Sequence, residues 1–111
     1  MPCTSGVCKV EVTVVDCDGG RVPATPDPIP VDRPSNIQWT ISSSTPGYKF
    51  ASNGIETTGS DFSDHHVTGN GQMYIVHDSH QTRGFFKYTV NMVRISDNRA
   101  CRPSDPYIQN N

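Results

Sequence analysis

Apolar and polar residues alternate along three segments of this chain. Val10, Val12 and Val14 alternate with polar residues, and the same two-residue period runs through residues 37–41 and 86–92. Successive side chains of a β-strand point to opposite faces, so each segment has one face suited to a core and one suited to water. No long stretch has the 3.6-residue period of an amphipathic helix. The pattern therefore predicts an all-β protein.

Turn-forming residues divide the chain into short strands. Strands are predicted at residues 8–15, 36–42, 48–50, 55–56, 62–67, 73–76 and 85–95. Four prolines between Val22 and Val31 remove backbone donors, so this segment is predicted to be an edge strand or a connection that crosses between sheets. Trp39 lies on the apolar side of its strand and is expected in the core.

These elements predict one antiparallel β-sandwich of about seven strands. The domain is expected to span residues 1–111, with a flexible N-terminus at 1–7 and a C-terminal tail at 102–111. At this length a chain buries roughly two thirds of its unfolded surface, which is enough for one modest core.

The order of the predicted elements resembles that of the cupredoxins. Between Lys9 and Ile95 the chain has a first strand, the proline-rich crossing, a strand with an aromatic residue, several short strands and a long closing strand, in that order. The resemblance implies a cupredoxin-like or immunoglobulin-like sandwich. A blue-copper site takes two His, one Cys and usually an axial Met. The late loop from His77 to Gly84 has no Cys, so the resemblance does not extend to a type 1 copper centre.

Composition and motifs exclude several classes of function. Nine basic and eleven acidic residues give a net charge of -2 without a basic run, so nucleic-acid binding is not expected. No apolar stretch approaches the roughly 20 residues of a membrane span. The chain has neither a G-x-S-x-G elbow nor a phosphate-binding glycine loop, so we do not expect an enzyme. A hydrolase built from a His and a carboxylate in one pocket is a lesser hypothesis.

The cysteines Cys3, Cys8, Cys17 and Cys101 bear on the cellular compartment. The N-terminus lacks the basic and apolar regions of a secretory signal, which favours a cytoplasmic protein with reduced thiols if Met1 is the native start. A trimmed mature chain would be periplasmic or secreted. An even cysteine count also suits two disulfides in an oxidising compartment. Among the three possible pairings, Cys17–Cys101 is favoured, because each cysteine follows a long outer strand.

The histidines provide the candidate metal ligands. His77 and His80, with Asp78 between them, place two imidazoles and a carboxylate within four residues of a predicted loop. Zinc and copper(II) accept such ligands, and His65 or His66 is a candidate additional ligand. The same loop is predicted to form a rim that faces a ligand.

The leading hypothesis is a non-enzymatic binding module without a cofactor. Its partner would be another protein, or a second copy that associates through an edge strand. Phe85 faces away from Phe86 along the last long strand, so Phe85 and the nearby Asp78 are predicted to lie at the interaction surface. The alternative hypothesis is a copper- or zinc-binding protein that uses His77, His80 and His65.

Overall fold

Backbone hydrogen bonds join the strands into two β-sheets in the computed structural model, which describes residues 3–111. The strands are β1 (Cys3–Thr4), β2 (Val7–Val12), β3 (Ala24–Thr25), β4 (Ile29–Val31), β5 (Ser35–Ile41), β6 (Tyr48–Thr57), β7 (Phe62–Thr68), β8 (Met73–Asp78), β9 (Gly84–Arg94), β10 (Arg99–Ala100) and β11 (Tyr107–Asn110). Over residues 3–111 there is no helix that is long and apolar enough to cross a membrane.

The first sheet has the strand order β1-β2-β5-β8-β7, and β3 also pairs with β2. In the second sheet β11 lies between β4 and β9, while β6 and β10 also pair with β9. Alternate residues of the central strands are buried, and they form one core. Its largest fully buried side chains include Trp39, Tyr74, Tyr88, Ile29, Ile37, Ile55, Met92 and Ile108. The expectation that Trp39 belongs to the core is confirmed.

The expected all-antiparallel pairing is wrong for two pairs of strands. β2 runs parallel to β5, with Val10 opposite Trp39, and β11 runs parallel to β4, with Ile108 opposite Ile29. Parallel neighbours require a long connection. Residues 13–34, which include the proline-rich segment between Val22 and Val31, connect β2 to β5. They also contribute β4 to the second sheet. Alternation identifies a strand, but it does not give the direction of its partner.

Within the predicted C-terminal tail at residues 102–111, Tyr107–Asn110 form a strand of the second sheet, β11. β11 pairs with β9 on one side and with β4 on the other, and the Ile108 side chain is fully buried. Within the predicted flexible N-terminus at 1–7, Cys3 and Thr4 form β1 and pair with β2. Met1 and Pro2 lie outside the described residues.

Two strands are longer than their apolar patterns predicted. β8 continues through His77 and Asp78, which the sequence placed in a loop. β6 joins the two short predicted strands at 48–50 and 55–56 into one strand, with an irregularity in its pairing to β9 between Phe50 and Ile55. A bulge of this kind interrupts the two-residue period without ending the strand.

All four cysteines form disulfides in the structure, in contrast to the expectation of reduced thiols. Cys17 is bonded to Cys101, the pairing favoured from the sequence, and their Cα atoms are 4.5 Å apart. Cys3 is bonded to Cys8 across the β1–β2 pair. The Cys17–Cys101 disulfide joins the segment between β2 and β3 to the segment between β10 and β11.

Candidate functional site

Two aromatic side chains lie exposed on the outer face of the second sheet. Along β9, Phe86 and Tyr88 face the core, so Phe85 points outward and is 64% exposed. Tyr107 on β11 is 44% exposed. Phe85 lies opposite Gln109, and Tyr107 lies opposite Lys87, two residues along β9. The two rings are therefore diagonal neighbours on one face of the sheet. Residues in this relationship have Cα atoms about 7–8 Å apart. We call Phe85 and Tyr107 the aromatic patch.

The backbone around the aromatic patch is held on several sides. The Tyr107 N–H donates to Asp27 Oδ1 at 3.0 Å, and the Tyr88 N–H donates to the Pro106 carbonyl at 2.9 Å. The inward ring of Phe86 packs edge-on against Phe62, with centroids 5.5 Å apart. Because Phe86 occupies the inner position, Phe85 has no place in the core.

A groove of about 340 Å³ lies next to the backbone of Tyr107, since Asp27 and Pro106 line it. It shares Asp27 with the backbone contact of Tyr107. The groove is lined by residues that include Val15, Arg21, Pro23, Asp27, Asp105 and Pro106. Its volume is at the low end of the range of about 300–1,000 Å³ found for small-ligand sites. The groove therefore presents apolar, acidic and basic contact groups near Tyr107.

The structure gives the predicted metal ligands different surroundings. His77 lies on the outer face of the first sheet, where its Nδ1 is 2.8 Å from Asn36 Oδ1. His65 Nε2 is 2.7 Å from Thr57 Oγ1, and His65 and His77 line one open cleft together with His66. The His80 ring is directed elsewhere, with Nε2 3.1 Å from the Val31 carbonyl of the second sheet.

The three predicted ligands therefore do not form one site in the structure. Residues 3–111 contain no group of three or more His, Cys, Asp or Glu side chains arranged to hold a metal ion. His77 and His80 are close in sequence, but β8 extends through His77, and the chain turns only after Asp78. Because His77 belongs to β8 and His80 follows the end of this strand, the two imidazoles point to different parts of the molecule.

Asp78 is buried rather than exposed at an interaction surface. Its relative exposure is 0%, because it continues the inward positions of Tyr74 and Val76 on β8. The two-residue period through Tyr74 and Val76 extends to Asp78 and could have indicated this burial. The predicted strand ended at Val76, because only its apolar residues were taken as the strand.

Asp78 belongs to a cluster of buried polar side chains with Asp61 and Asn110, which we call the carboxylate cluster. Asp61 is 4% exposed and Asn110 is 2% exposed. Asn110 Nδ2 donates to Asp61 Oδ2 and Asp78 Oδ1, each at 3.3 Å, and to the Thr82 carbonyl at 3.1 Å. Asn110 was missed by the sequence analysis, because it lies in the segment that was expected to be a tail.

The two carboxylates of the cluster have different hydrogen-bond environments. Asp61 Oδ2 accepts from the backbone N–H groups of Gln81 and Thr82, at 3.0 and 2.8 Å. Asp78 Oδ1 accepts from the His80 N–H at 2.9 Å. Burial raises the pKa of Asp78, the hydrogen bonds from His80 and Asn110 lower it, and the charge of Asp61 raises it, with a net upward shift. Neither carboxylate is open to solvent, so neither reaches a substrate from this conformation.

Comparison of the chain with protein-family models and with curated proteins gives no match. Function must therefore be argued from the molecule's own surfaces. The aromatic patch is accessible, and the carboxylate cluster is enclosed.

Proposed function

We propose that this chain is a non-enzymatic binding module that holds a protein partner through the aromatic patch. The observation that carries the proposal is the exposure of two large aromatic side chains, Phe85 and Tyr107, on one face of a hydrogen-bonded sheet. Aromatic residues are enriched at the centres of protein interfaces, and they supply contact area at a low cost in side-chain entropy.

The surroundings of the patch favour a protein over a small molecule. Lys87 and Gln109 lie beside the two rings on the same face, and Asp27 borders Tyr107. Apolar groups surrounded by polar ones are the usual arrangement of a protein interface. A small ligand is normally enclosed in a concave pocket, whereas Phe85 and Tyr107 stand on the outer face of a sheet.

We also infer that the protein works in an oxidising compartment. The support for this inference is that all four cysteines are paired. Disulfides form and persist in secreted and periplasmic proteins and are rare in the cytosol. Intact mass spectrometry of protein from its native source tests the inference, because each disulfide lowers the mass by two hydrogens. A fully reduced mass from that source contradicts it.

The binding proposal is tested by removing the patch without altering the core. Phe85→Ser with Tyr107→Ser removes both rings from the surface. Ile95→Ser with Val67→Ser is the matched control, because these side chains are also exposed, at 51% and 37%, and lie on other parts of the surface. Each pair of changes is expected to leave the melting temperature close to that of the parent, since such surface substitutions alter stability by about 0.5 kcal/mol or less each.

The measurement is quantitative capture of proteins from the native source by the parent and by both variants. The proposal expects partners that bind the parent and the control equally and are lost with Phe85→Ser and Tyr107→Ser. Sedimentation velocity over a range of concentrations identifies a second copy as the partner if the patch variant alone stays monomeric. Equal capture and equal association by all three proteins would overturn the proposal.

A further inference from the structure

Two buried oxygen atoms of the carboxylate cluster lack a hydrogen-bond donor. Within residues 3–111, Asp78 Oδ2 and Asn110 Oδ1 are the buried side-chain polar atoms without a partner. Their side chains are 0% and 2% exposed, so bulk solvent does not reach them. Buried polar atoms are nearly always paired, because an unpaired one has lost its water without compensation. Both orphaned atoms belong to side chains that already contact each other.

Rotating the Asn110 amide does not supply the missing donor. Its Nδ2 faces three acceptors, namely Asp61 Oδ2, Asp78 Oδ1 and the Thr82 carbonyl. Exchanging Oδ1 and Nδ2 would place an oxygen against those three oxygens. The amide orientation is therefore set by its neighbours, and Asn110 Oδ1 remains an acceptor.

Ser35, which pairs with Asp78 across β5 and β8, does not supply the donor either. Its hydroxyl donates to the Arg33 carbonyl at 2.9 Å. The ring of His80 is engaged through Nε2 with the Val31 carbonyl. The Ser35 hydroxyl and His80 Nε2 thus already have partners, and a proton on the pair itself would supply the missing donor.

We propose that Asp78 is a protonated carboxylic acid in the folded protein, and that its hydroxyl donates to Asn110 Oδ1 while Asn110 Nδ2 donates to Asp78 Oδ1. An acid and a primary amide pair in this way through two hydrogen bonds, and one proton satisfies both orphaned oxygens. The pair joins β8 of the first sheet to β11 of the second, so the proton adds a link between the sheets at the C-terminal strand.

The charges around Asp78 favour this protonation state. Asp61 faces it from the segment before β7 and accepts from the N–H groups of Gln81 and Thr82 and from the Thr82 hydroxyl, a set of donors suited to a carboxylate. His80 is the other titratable neighbour, on the segment after β8. Two adjacent buried carboxylates do not readily ionise together. Burial raises the pKa of Asp78, in agreement with the geometry.

The proton makes the stability of the fold depend on pH in a defined direction. The folded protein holds the Asp78 proton more tightly than the unfolded chain, whose aspartates have a pKa of about 3.9. The contribution is therefore complete below that value, and it is lost as the pH rises through the raised folded value. This consequence does not depend on what binds the aromatic patch.

Asp78→Asn tests the proposal, because an amide in this place donates permanently. Its NH₂ group can bond Asn110 Oδ1, and its oxygen still accepts from the His80 N–H and Asn110 Nδ2. We expect the variant to fold. Between about pH 4 and the raised pKa of Asp78 in the folded protein, the unfolding equilibrium constant of the parent divided by that of the variant should rise by up to about tenfold per pH unit. A ratio that is constant with pH would overturn the proposal.

Asp61→Asn is the matched control, since it also replaces a buried carboxylate of the cluster by an amide. Asp61 accepts from N–H and O–H groups at both oxygens, so an NH₂ group would face donors and the fold should be weakened. The proposal is contradicted if Asp78→Asn weakens the fold as much as Asp61→Asn does.

A titration of the parent protein gives a measurement that needs no variant to fold. The ¹³C shift of the Asp78 carboxyl is expected to change with a midpoint above the value of about 3.9 for an unfolded aspartate. A midpoint at or below that value would mean an ionised Asp78 with a buried water or cation between the two orphaned oxygens. That result would overturn the proposal.

Discussion

The indole N–H of Trp39 donates to the hydroxyl of Tyr88 at 3.2 Å and joins the two sheets through the core. Trp39 lies on β5 of the first sheet and Tyr88 on β9 of the second, and their ring centroids are 5.3 Å apart. Both side chains are almost completely buried. A buried indole N–H needs an acceptor, and the phenol provides it without leaving the aromatic packing.

Tyr88→Phe removes this acceptor and keeps the ring. The Trp39 N–H is then left unpaired in the core, so we expect a loss of about 1–3 kcal/mol in the free energy of unfolding. Urea unfolding followed by fluorescence measures the loss, because Trp39 is the only tryptophan. Tyr107→Phe is the control, since it removes a hydroxyl from an exposed ring. Equal stability of the two variants would contradict the prediction.

The two disulfides are expected to differ in their effect on stability. Cys17 and Cys101 are 84 positions apart, and Cys3 and Cys8 are 5 positions apart. The chain-entropy model then gives losses of about 4.5 kcal/mol for Cys17→Ser with Cys101→Ser, and about 2 kcal/mol for Cys3→Ser with Cys8→Ser. Calorimetry of the two double variants tests the order. A larger effect from the short loop would be inconsistent with the model.

Gly54 is required at the irregularity in β6 because neighbouring atoms occupy the space of a side chain. A Cβ at this position would lie 2.8 Å from Phe50 Cβ and 3.0 Å from Tyr74 Cδ2. Gly54→Ala is therefore expected to cost about 1–3 kcal/mol through overpacking. Asn53→Ala, at an exposed neighbouring position, is the control and should change little. Denaturant unfolding of both variants gives the comparison.

The carboxyl group of Asp97, in the turn after β9, should titrate at low pH. Arg94 donates to Asp97 through Nη2 at 2.7 Å and through Nε at 3.0 Å, and these hydrogen bonds lower the pKa of Asp97 to about 2. A lowered folded value means that the contribution is present above about pH 3.9 and is lost as the pH falls through the folded value. An NMR titration should find this midpoint, and Arg94→Gln should raise it.

The alternation of residues was sufficient to find most strands and much of the core. The inward positions of β5 and β9 follow directly from their two-residue period, and Trp39 is buried as expected. Asp78 was missed, because the same period was not followed through a charged residue. β11 was also missed, since its four residues after Pro106 carry too little pattern to distinguish a strand from a tail.

The candidate site was harder to predict from the sequence than the fold, because it is formed by residues that only tertiary contacts bring together. Phe85 was placed outside the core by its position next to Phe86, and it is exposed in the structure. Its neighbour Tyr107 could not be paired with it, because the register of β9 and β11 joins residues about 20 positions apart in the chain. Residues that are close in sequence can also lie apart, since the rings of His77 and His80 have different surroundings in the structure.

The sequence by itself determined that the chain forms β-strands, because strand side chains alternate between core and solvent whatever their partners are. The even cysteine count and the burial of Trp39 could also be inferred from the sequence alone. Only the tertiary structure decided the parallel pairs, the position of β11 and the burial of Asp78 beside Asn110. These features depend on hydrogen bonds between distant segments, and the local pattern of residues carries no information about which segments meet.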